Sequence, residues 1–250
     1  MNFNIDDLLF RCHSVGEIMG VKGLGVTGEK RAIQTYLEQF TDRQKEIKSK
    51  YLEKGILNES GAIELVNELF NTNYEKNEIR LSNDYLTGEC DVIGSDCIAD
   101  IKCSWDIFTF FEAKTKDVKD YEWQLRGYME LYDKPKAELY YCLTDMDDSQ
   151  LLDILEKKSH YYGGDLPDLI AIRMVKNAVF DKDNFHRFLE LAPIDTKKVQ
   201  KEINKFVHIP KEERFIKFEC ERDETKTALL YARINTARDF LKKKHLINEY

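Results

Sequence analysis

Proline is scarce in this chain and flexible linkers are missing. Its 250 residues contain four prolines, at 135, 167, 193 and 210, and no Gly/Ser-rich linker, internal repeat or low-complexity tract. Nothing marks a place to divide it, so residues 1–250 read as one domain carrying a sizeable insertion. No window approaches the roughly 20 consecutive apolar residues of a membrane span. The opening segment, Met1 to Asp7, lacks the basic start and apolar run of a secretion signal. The expectation is a cytoplasmic protein with no membrane partner. Cysteines stand at 12, 90, 97, 103, 142 and 220 and form no C-x-x-C pair. That spacing excludes a zinc finger or a dithiol redox motif and implies free thiols in a reducing compartment. Positive charge is also in deficit: the formal net charge is −8 and the pI about 5.3. Taken alone, this argues against a general nucleic-acid binder, which carries a basic footprint.

What is present changes that reading. Apolar residues make up 42% of the chain, with 13 Tyr and 14 Phe, enough for a core and too much for a disordered protein. Charge is unevenly placed. Residues 59–100 hold ten acids against Lys76 and Arg80, residues 226–250 hold six bases against Asp239 and Glu249, and 194–217 is also basic. An acidic middle with basic flanks suits a cation-binding centre framed by phosphate-binding surfaces. It also suits plain solvated charge.

Patterning predicts a mostly helical first 70 residues. Ser14 and Glu17 read as a capping box with Ser14 as N-cap, Lys22 to Gly28 as a loop, and helices resume from about Lys30 and about Asn58 to Phe70. Strands are expected at Glu78–Leu81, Glu89–Ile93 and Cys97–Cys103, the last two joined by Gly94-Ser95-Asp96. A helix from about Val118 to Tyr132, a strand Glu138–Leu143, a helical insertion 144–193, a helix over 196–206, a strand Arg214–Cys220 and a helix Thr225–Lys244 follow. The class is α/β, a mixed central sheet flanked by helices. The core covers about 55–143, and the C-terminal strand and helix about 196–245.

The most informative segment runs from Gly88 to Ser104. Side chains alternate on a strand, so Ile98, Asp100 and Lys102 share one face and Cys97, Ala99, Ile101 and Cys103 the other. A hairpin pairing 94 with 97, or 93 with 98, sets Asp91 directly opposite Asp100. A two-residue loop at Gly94-Ser95 sets Asp91 opposite Ile98 and keeps both acids on one face, whereas a three-residue loop without a bulge separates them. Opposed like charges destabilise a sheet. A divalent cation between them removes the penalty, and hard oxygen ligands suit Mg²⁺ or Mn²⁺ rather than zinc. Lys102 is placed to position or deprotonate an attacking water. The bland alternative is an exposed strand face with an ordinary ion pair.

Two further features bear on that choice. Glu59 falls at helical spacing with Ile63, Val66 and Phe70, where a carboxylate is costly to bury unless paired or metal-bound. Alternatively it lies at a solvated helix start. Tyr121, Gln124 and Tyr128 form an i, i+3, i+7 stripe. A glutamine within it would hold a water or a phosphate, or be buried and satisfied by backbone. The histidines, at 13, 160, 186, 208 and 245, show no metal-ligand spacing, and neither G-x-S-x-G nor a P-loop occurs.

The order Gly55-x-x-x-Glu59, Asp91, Asp100-x-Lys102, then Tyr121-x-x-Gln124-x-x-x-Tyr128-Met129 resembles the PD-(D/E)XK nuclease superfamily. It looks most like the phage-type exonuclease branch with lambda exonuclease and YqaJ-type recombinases. The motifs span 55–129, about a third of the chain, and Cys90 stands where the family's proline is often found. The resemblance implies a restriction-endonuclease-like core and metal-dependent DNA cleavage at duplex ends in phage-type recombination or replication. It implies Mg²⁺ on Asp91, Asp100 and the Ile101 carbonyl, with Glu59 contributing to a second metal. Lys102 would orient or activate the water, Gln124 and Tyr121 would support water or phosphate, and Arg11 and Ser14 would hold a 5′-phosphate. Implied partners are DNA, further copies of the chain in a homo-oligomer, and a single-strand annealing protein. The iron–sulfur members of the superfamily carry a C-terminal cysteine cluster; only Cys220 lies beyond 142 here, so no cluster is expected. The competing expectation is a catalytically inactive nuclease fold kept for DNA binding or scaffolding.

Overall fold

The structure, a computed structural model, describes residues 3–45, 50–104, 106–115 and 119–244, leaving aside the side chains of 50–57 and 119–120. Val118, the expected start of one helix, lies outside the described residues. In chain order the elements are β1 (Phe10–Arg11), α1 (Cys12–Val15), α2 (Gly25–Thr41), α3 (Lys50–Phe70), β2 (Leu81–Ser82), β3 (Leu86–Gly88), β4 (Val92–Ile93), β5 (Cys97–Cys103), α4 (Ile107–Thr115), α5 (Lys119–Tyr132), β6 (Lys136–Cys142), α6 (Asp148–Tyr161), α7 (Asp168–Ala178), α8 (Lys182–Leu191), α9 (Gln200–Ile203), β7 (Phe215–Glu221) and α10 (Glu224–Lys244). No described helix is long and apolar enough to cross a membrane.

The main sheet has the order β4-β5-β6-β7. β4 runs antiparallel to β5, β5 parallel to β6, and β6 antiparallel to β7. A parallel pair needs a crossover, and α4 with α5 supplies it. β5 is filled on both faces, which is why it reads as a near-continuous apolar run. Ile98 packs with Leu125, Tyr128 and Met129 of α5, Leu139 of β6 and Ile234 of α10. Ala99 and Ile101 pack with Ala62, Ile63 and Val66 of α3 and with Tyr140. Full burial of a side chain such as Ile98 or Leu125 contributes about 1.5–3 kcal/mol, and this sandwiching of the strand is what carries Asp100 indoors.

A second core joins α6 to α9, with Leu151, Leu155, Ile172, Val175, Phe185 and Phe188 at its centre. Asp147 caps α6 and Asp181 caps α8, each accepting two backbone N–H groups. The helix expected over 196–206 forms in part as α9, and Val199, Ile203 and Phe206 join it to the core of the preceding helices, with Phe206 stacked on Phe185 at a ring-centroid distance of 3.9 Å.

Three local expectations fail near the N-terminus. Ser14 is not an N-cap: α1 begins at Cys12 and the Ser14 hydroxyl donates back to the Arg11 carbonyl at 3.2 Å, while Glu17 pairs with Arg31. The loop expected to Gly28 is already helix from Gly25. Gly28 serves close packing rather than a turn, since a Cβ there would meet the Glu17 carbonyl and Ile18 Cα at 3.2 Å. A small sheet, β1-β3-β2, also forms, with β1 and β3 where helix or loop was expected; β1 pairs parallel with β3, Phe10 beside Leu86 and Arg11 beside Thr87. The strand expected at 78–81 begins only at Leu81.

Candidate active site

The hairpin register brings the acids together. Val92 pairs with Ala99 and Ile93 with Ile98, and the Gly94 N–H closes the turn on the Cys97 carbonyl at 2.8 Å. One step further, Asp91 lies across from Asp100, the arrangement that pairing 93 with 98 predicts. The strand does not continue through Asp91. Its carboxylate instead accepts the backbone N–H of Ile101 at 2.5 Å, and its carbonyl accepts the N–H of Asn77 at 2.8 Å.

Asp100 is 1% exposed. One oxygen, Oδ1, accepts from the Gln124 amide at 2.8 Å. The other, Oδ2, lies 2.7 Å from the Lys102 ammonium, off hydrogen-bond alignment and with no other donor. Gln124 is buried at 6% exposure, and its amide also reaches the Tyr128 hydroxyl at 3.4 Å. The buried glutamine is thus satisfied by a carboxylate and a phenol rather than by backbone. Tyr121 is half-buried, its ring centroid 6.0 Å from the Lys102 ammonium.

Glu59 sits in the middle of α3, not at a solvated helix start, with Ile63, Val66 and Phe70 along the same apolar stripe. It accepts from Lys76 at 3.0 Å. Its charge is felt at Asp91, whose carboxyl is pushed up to about 7 by burial, then by Asp100 and Glu59, against the pull of Lys102 and the Ile101 N–H. Burial alone would lower the Lys102 ammonium, but Asp100 and Asp91 outweigh it and hold the amine above its ordinary range. Among the described residues no group of three or more His, Cys, Asp or Glu side chains is placed to hold one ion.

Arg11 and Ser14 lie at the β1–α1 junction. Arg11 is half-buried and Ser14 is 4% exposed, its hydroxyl engaged by the Arg11 carbonyl. Desolvation and the charges of Arg11, Arg31, Lys102 and Arg80 hold the His13 imidazole below its ordinary range, so cations gather on this side of the site. The junction can approach because α5 carries Gly127: a Cβ there would meet Cys12 Sγ at 2.9 Å. Sequence reasoning missed Lys76 and Asn77, which hold Glu59 and Asp91. Both lie outside helices and strands, and no spacing marks them.

These elements, a mixed sheet with a helical crossover behind the acid-bearing hairpin, make up the fold of the phage-type exonucleases. The chain is similar to a phage-related exonuclease from Haemophilus somnus 129PT, with a TM-score of 0.67, 22% identity and 95% of both chains covered. It is also similar to an alkaline exonuclease, LHK-Exo, from Laribacter hongkongensis, with a TM-score of 0.58, 11% identity and coverage of 96% and 94%. A complex of LHK-Exo with dAMP gives a TM-score of 0.56 at 12% identity. No protein-family model and no curated protein matches the sequence. At these identities the likeness is one of fold.

Proposed function

We propose that the protein is a divalent-metal-dependent deoxyribonuclease acting on the ends of duplex DNA. The observation that carries this reading is the pair of half-buried Asp91 and buried Asp100, opposed across a hairpin beside Lys102. Two such carboxylates repel. Asp100 Oδ2 has no aligned donor, and Asp91 is pushed towards its neutral form. A hard-oxygen donor set short of positive charge fits Mg²⁺, with Mn²⁺ as substitute, and these ions complete their shells with water rather than a full protein cage. Asp91, Asp100 and the Ile101 carbonyl would hold the ion, and Glu59, now on Lys76, would serve a second one. When bound, such ions neutralise phosphate oxygens, activate water and stabilise the leaving oxygen of a phosphodiester.

The chain's own side chains do the rest. Gln124 fixes the orientation of Asp100, as a partner behind a metal ligand does. Lys102 stays cationic beside Asp100, under the pull of both acids, and supplies positive charge where negative charge develops on the phosphate. Tyr121 flanks that ammonium and borders the substrate. Arg11 binds the terminal 5′-phosphate, with Ser14 shaping the turn beneath it. The acidic net charge does not oppose DNA binding, since bound cations and the basic segments meet the phosphates locally. A homo-oligomer and a single-strand annealing partner, in phage-type recombination or replication, belong to the same reading.

The test is cleavage of 5′-labelled linear duplex and of a closed circular duplex of the same sequence, with Mg²⁺ or with EDTA. Degradation of the linear form alone, only with Mg²⁺, is expected. Cutting of the circle would make the protein an endonuclease. DNA binding without cleavage under any divalent ion would establish the inactive scaffold instead.

A further inference from the structure

Helix α4 turns two phenylalanines to solvent. Phe108 is 68% exposed and Phe111 50%. Single exposed apolar side chains are ordinary, but an apolar patch with a polar rim marks an interaction site. Both rings, with Ile107, Glu112 and Thr115, line an open recess of about 390 Å³. The platform is fixed from below. Phe110 is fully buried in a cluster with Leu143 and Phe180, and it meets Phe111 edge to face with ring centroids 5.6 Å apart. Asp106 caps the helix: its carboxylate accepts the Thr109 N–H at 2.8 Å, and its own N–H donates to the Thr109 hydroxyl at 3.2 Å.

Strand register sets this helix beside the acid site. Asp100 pairs with Leu139 and Lys102 with Tyr141 across the parallel strands β5 and β6. Residues in register on neighbouring strands share a face, so Tyr141 lies on the face of Asp100 and Lys102. Tyr141 packs against the cluster that holds Phe110. α4 therefore rests on the sheet face that carries the acid site, one strand over. None of Asp91, Asp100, Lys102 and Gln124 lines its recess.

Size and charge narrow the occupant. The described lining is five side chains of one helix, against the roughly 20–30 residues a side of a standard protein interface. The Thr115 hydroxyl turns back to the Glu112 carbonyl at 2.8 Å, so the recess offers flat apolar surface rather than hydrogen bonds. Glu112 repels a bare anion from it. Lys114 stands alongside, its ammonium 4.8 Å from the Phe111 centroid and 5.4 Å from that of Phe110. An uncharged planar ring joined to an anion fits this arrangement: a nucleobase stacks on a phenylalanine while its phosphate meets the lysine. We propose that the outer face of α4 is a stacking platform for an unpaired base of the strand bound at the acid site, without preference among bases. The choice of DNA rests on the nuclease reading above; the exposed rings and their place on this sheet face do not.

The test is fluorescence anisotropy on the full chain in EDTA, with a labelled oligothymidine strand and a strand of equal length built of abasic sites. Both carry the same phosphates and only the first carries bases. The wild type is expected to bind the base-bearing strand about tenfold or more tightly. The double variant Phe108→Leu, Phe111→Leu keeps apolar contact but loses the ring faces, and it should lose that preference. Phe108→Trp should retain it. Circular dichroism verifies folding, which these exposed side chains do not support. Equal affinity for the two strands in the wild type, or a preference that survives in the leucine variant, overturns the proposal. A change of oligomeric mass in the leucine variant with the preference intact would make this face a contact between copies instead. Mg²⁺-dependent cleavage, measured in parallel, separates the two readings. Cleavage without base-dependent binding removes the platform alone. Base-dependent binding that the leucine variant loses, without cleavage under any divalent ion, removes the nuclease reading alone.

Discussion

The side-chain amide of Gln124 donates to Asp100 Oδ1 at 2.8 Å, inside a site where both residues are almost wholly buried. Asp100 has its other oxygen against Lys102, so the glutamine fixes which way the carboxylate faces. Replacing such a partner behind a metal ligand typically costs about 10–100-fold in metal affinity or activity. Gln124→Leu is therefore expected to raise the Mg²⁺ concentration needed for half-maximal cleavage while leaving the fold intact. Titration of the cleavage rate with Mg²⁺ checks this; an unchanged midpoint would show that the amide does not act through Asp100.

The opposed acids make a pH prediction for the metal-free protein. Asp91 is raised from 3.8 to about 7, so the folded state holds a proton that the unfolded chain gives up near pH 4. The stability this contributes is fully present below about pH 4 and is lost as pH rises through about 7. Asp91→Asn removes the dependence. In EDTA it is expected to melt close to the wild type at pH 4 and higher than the wild type at pH 8, by a difference on the order of 4 kcal/mol. Mg²⁺ should raise the melting temperature of the wild type at pH 8 and not that of the variant. Thermal melts at the two pH values decide it, and a variant less stable at pH 8 would contradict the electrostatic account.

Cys12 lies where side chains at residues 88 and 127 would go: a Cβ at either position meets its Sγ at 2.9 Å. Gly127→Ala is expected to destabilise the protein by about 1–3 kcal/mol through overpacking. Adding Cys12→Ala should recover part of that loss, giving a coupling energy between contacting residues. Urea unfolding of the two single variants and the double variant measures it; strict additivity would mean that α1 and α5 do not meet through this sulfur.

Much of the site is legible in the amino-acid order. Alternation along β5 places Asp100 and Lys102 on one face, and the short turn at Gly94-Ser95-Asp96 allows few registers, most of which oppose Asp91 to Asp100. The Tyr121, Gln124, Tyr128 stripe identifies the face of α5 that meets them. Each signal is local, a period of 2 or 3.6 residues. The features without such a signal depend on distant contacts. β1 is two residues long and gains meaning only from β3, Phe10 beside Leu86. Ser14 resembles a cap by spacing, yet the chain enters α1 from a strand, and its hydroxyl turns back to Arg11. The acid at 59 is distinguished from one at a solvated helix start only by the beginning of α3 at Lys50. Lys76 and Asn77 sit in irregular chain, where no period exists to read.

The central claim is that Asp100 and Lys102 act as one catalytic unit. The most direct measurement is the single-turnover rate of linear-duplex cleavage in Mg²⁺ by the wild type, Asp100→Asn and Lys102→Ala, with folding verified by circular dichroism. Both variants are expected to lose cleavage by about 10³-fold or more while keeping the wild-type spectrum. Wild-type rates from either folded variant would contradict the assignment of this site.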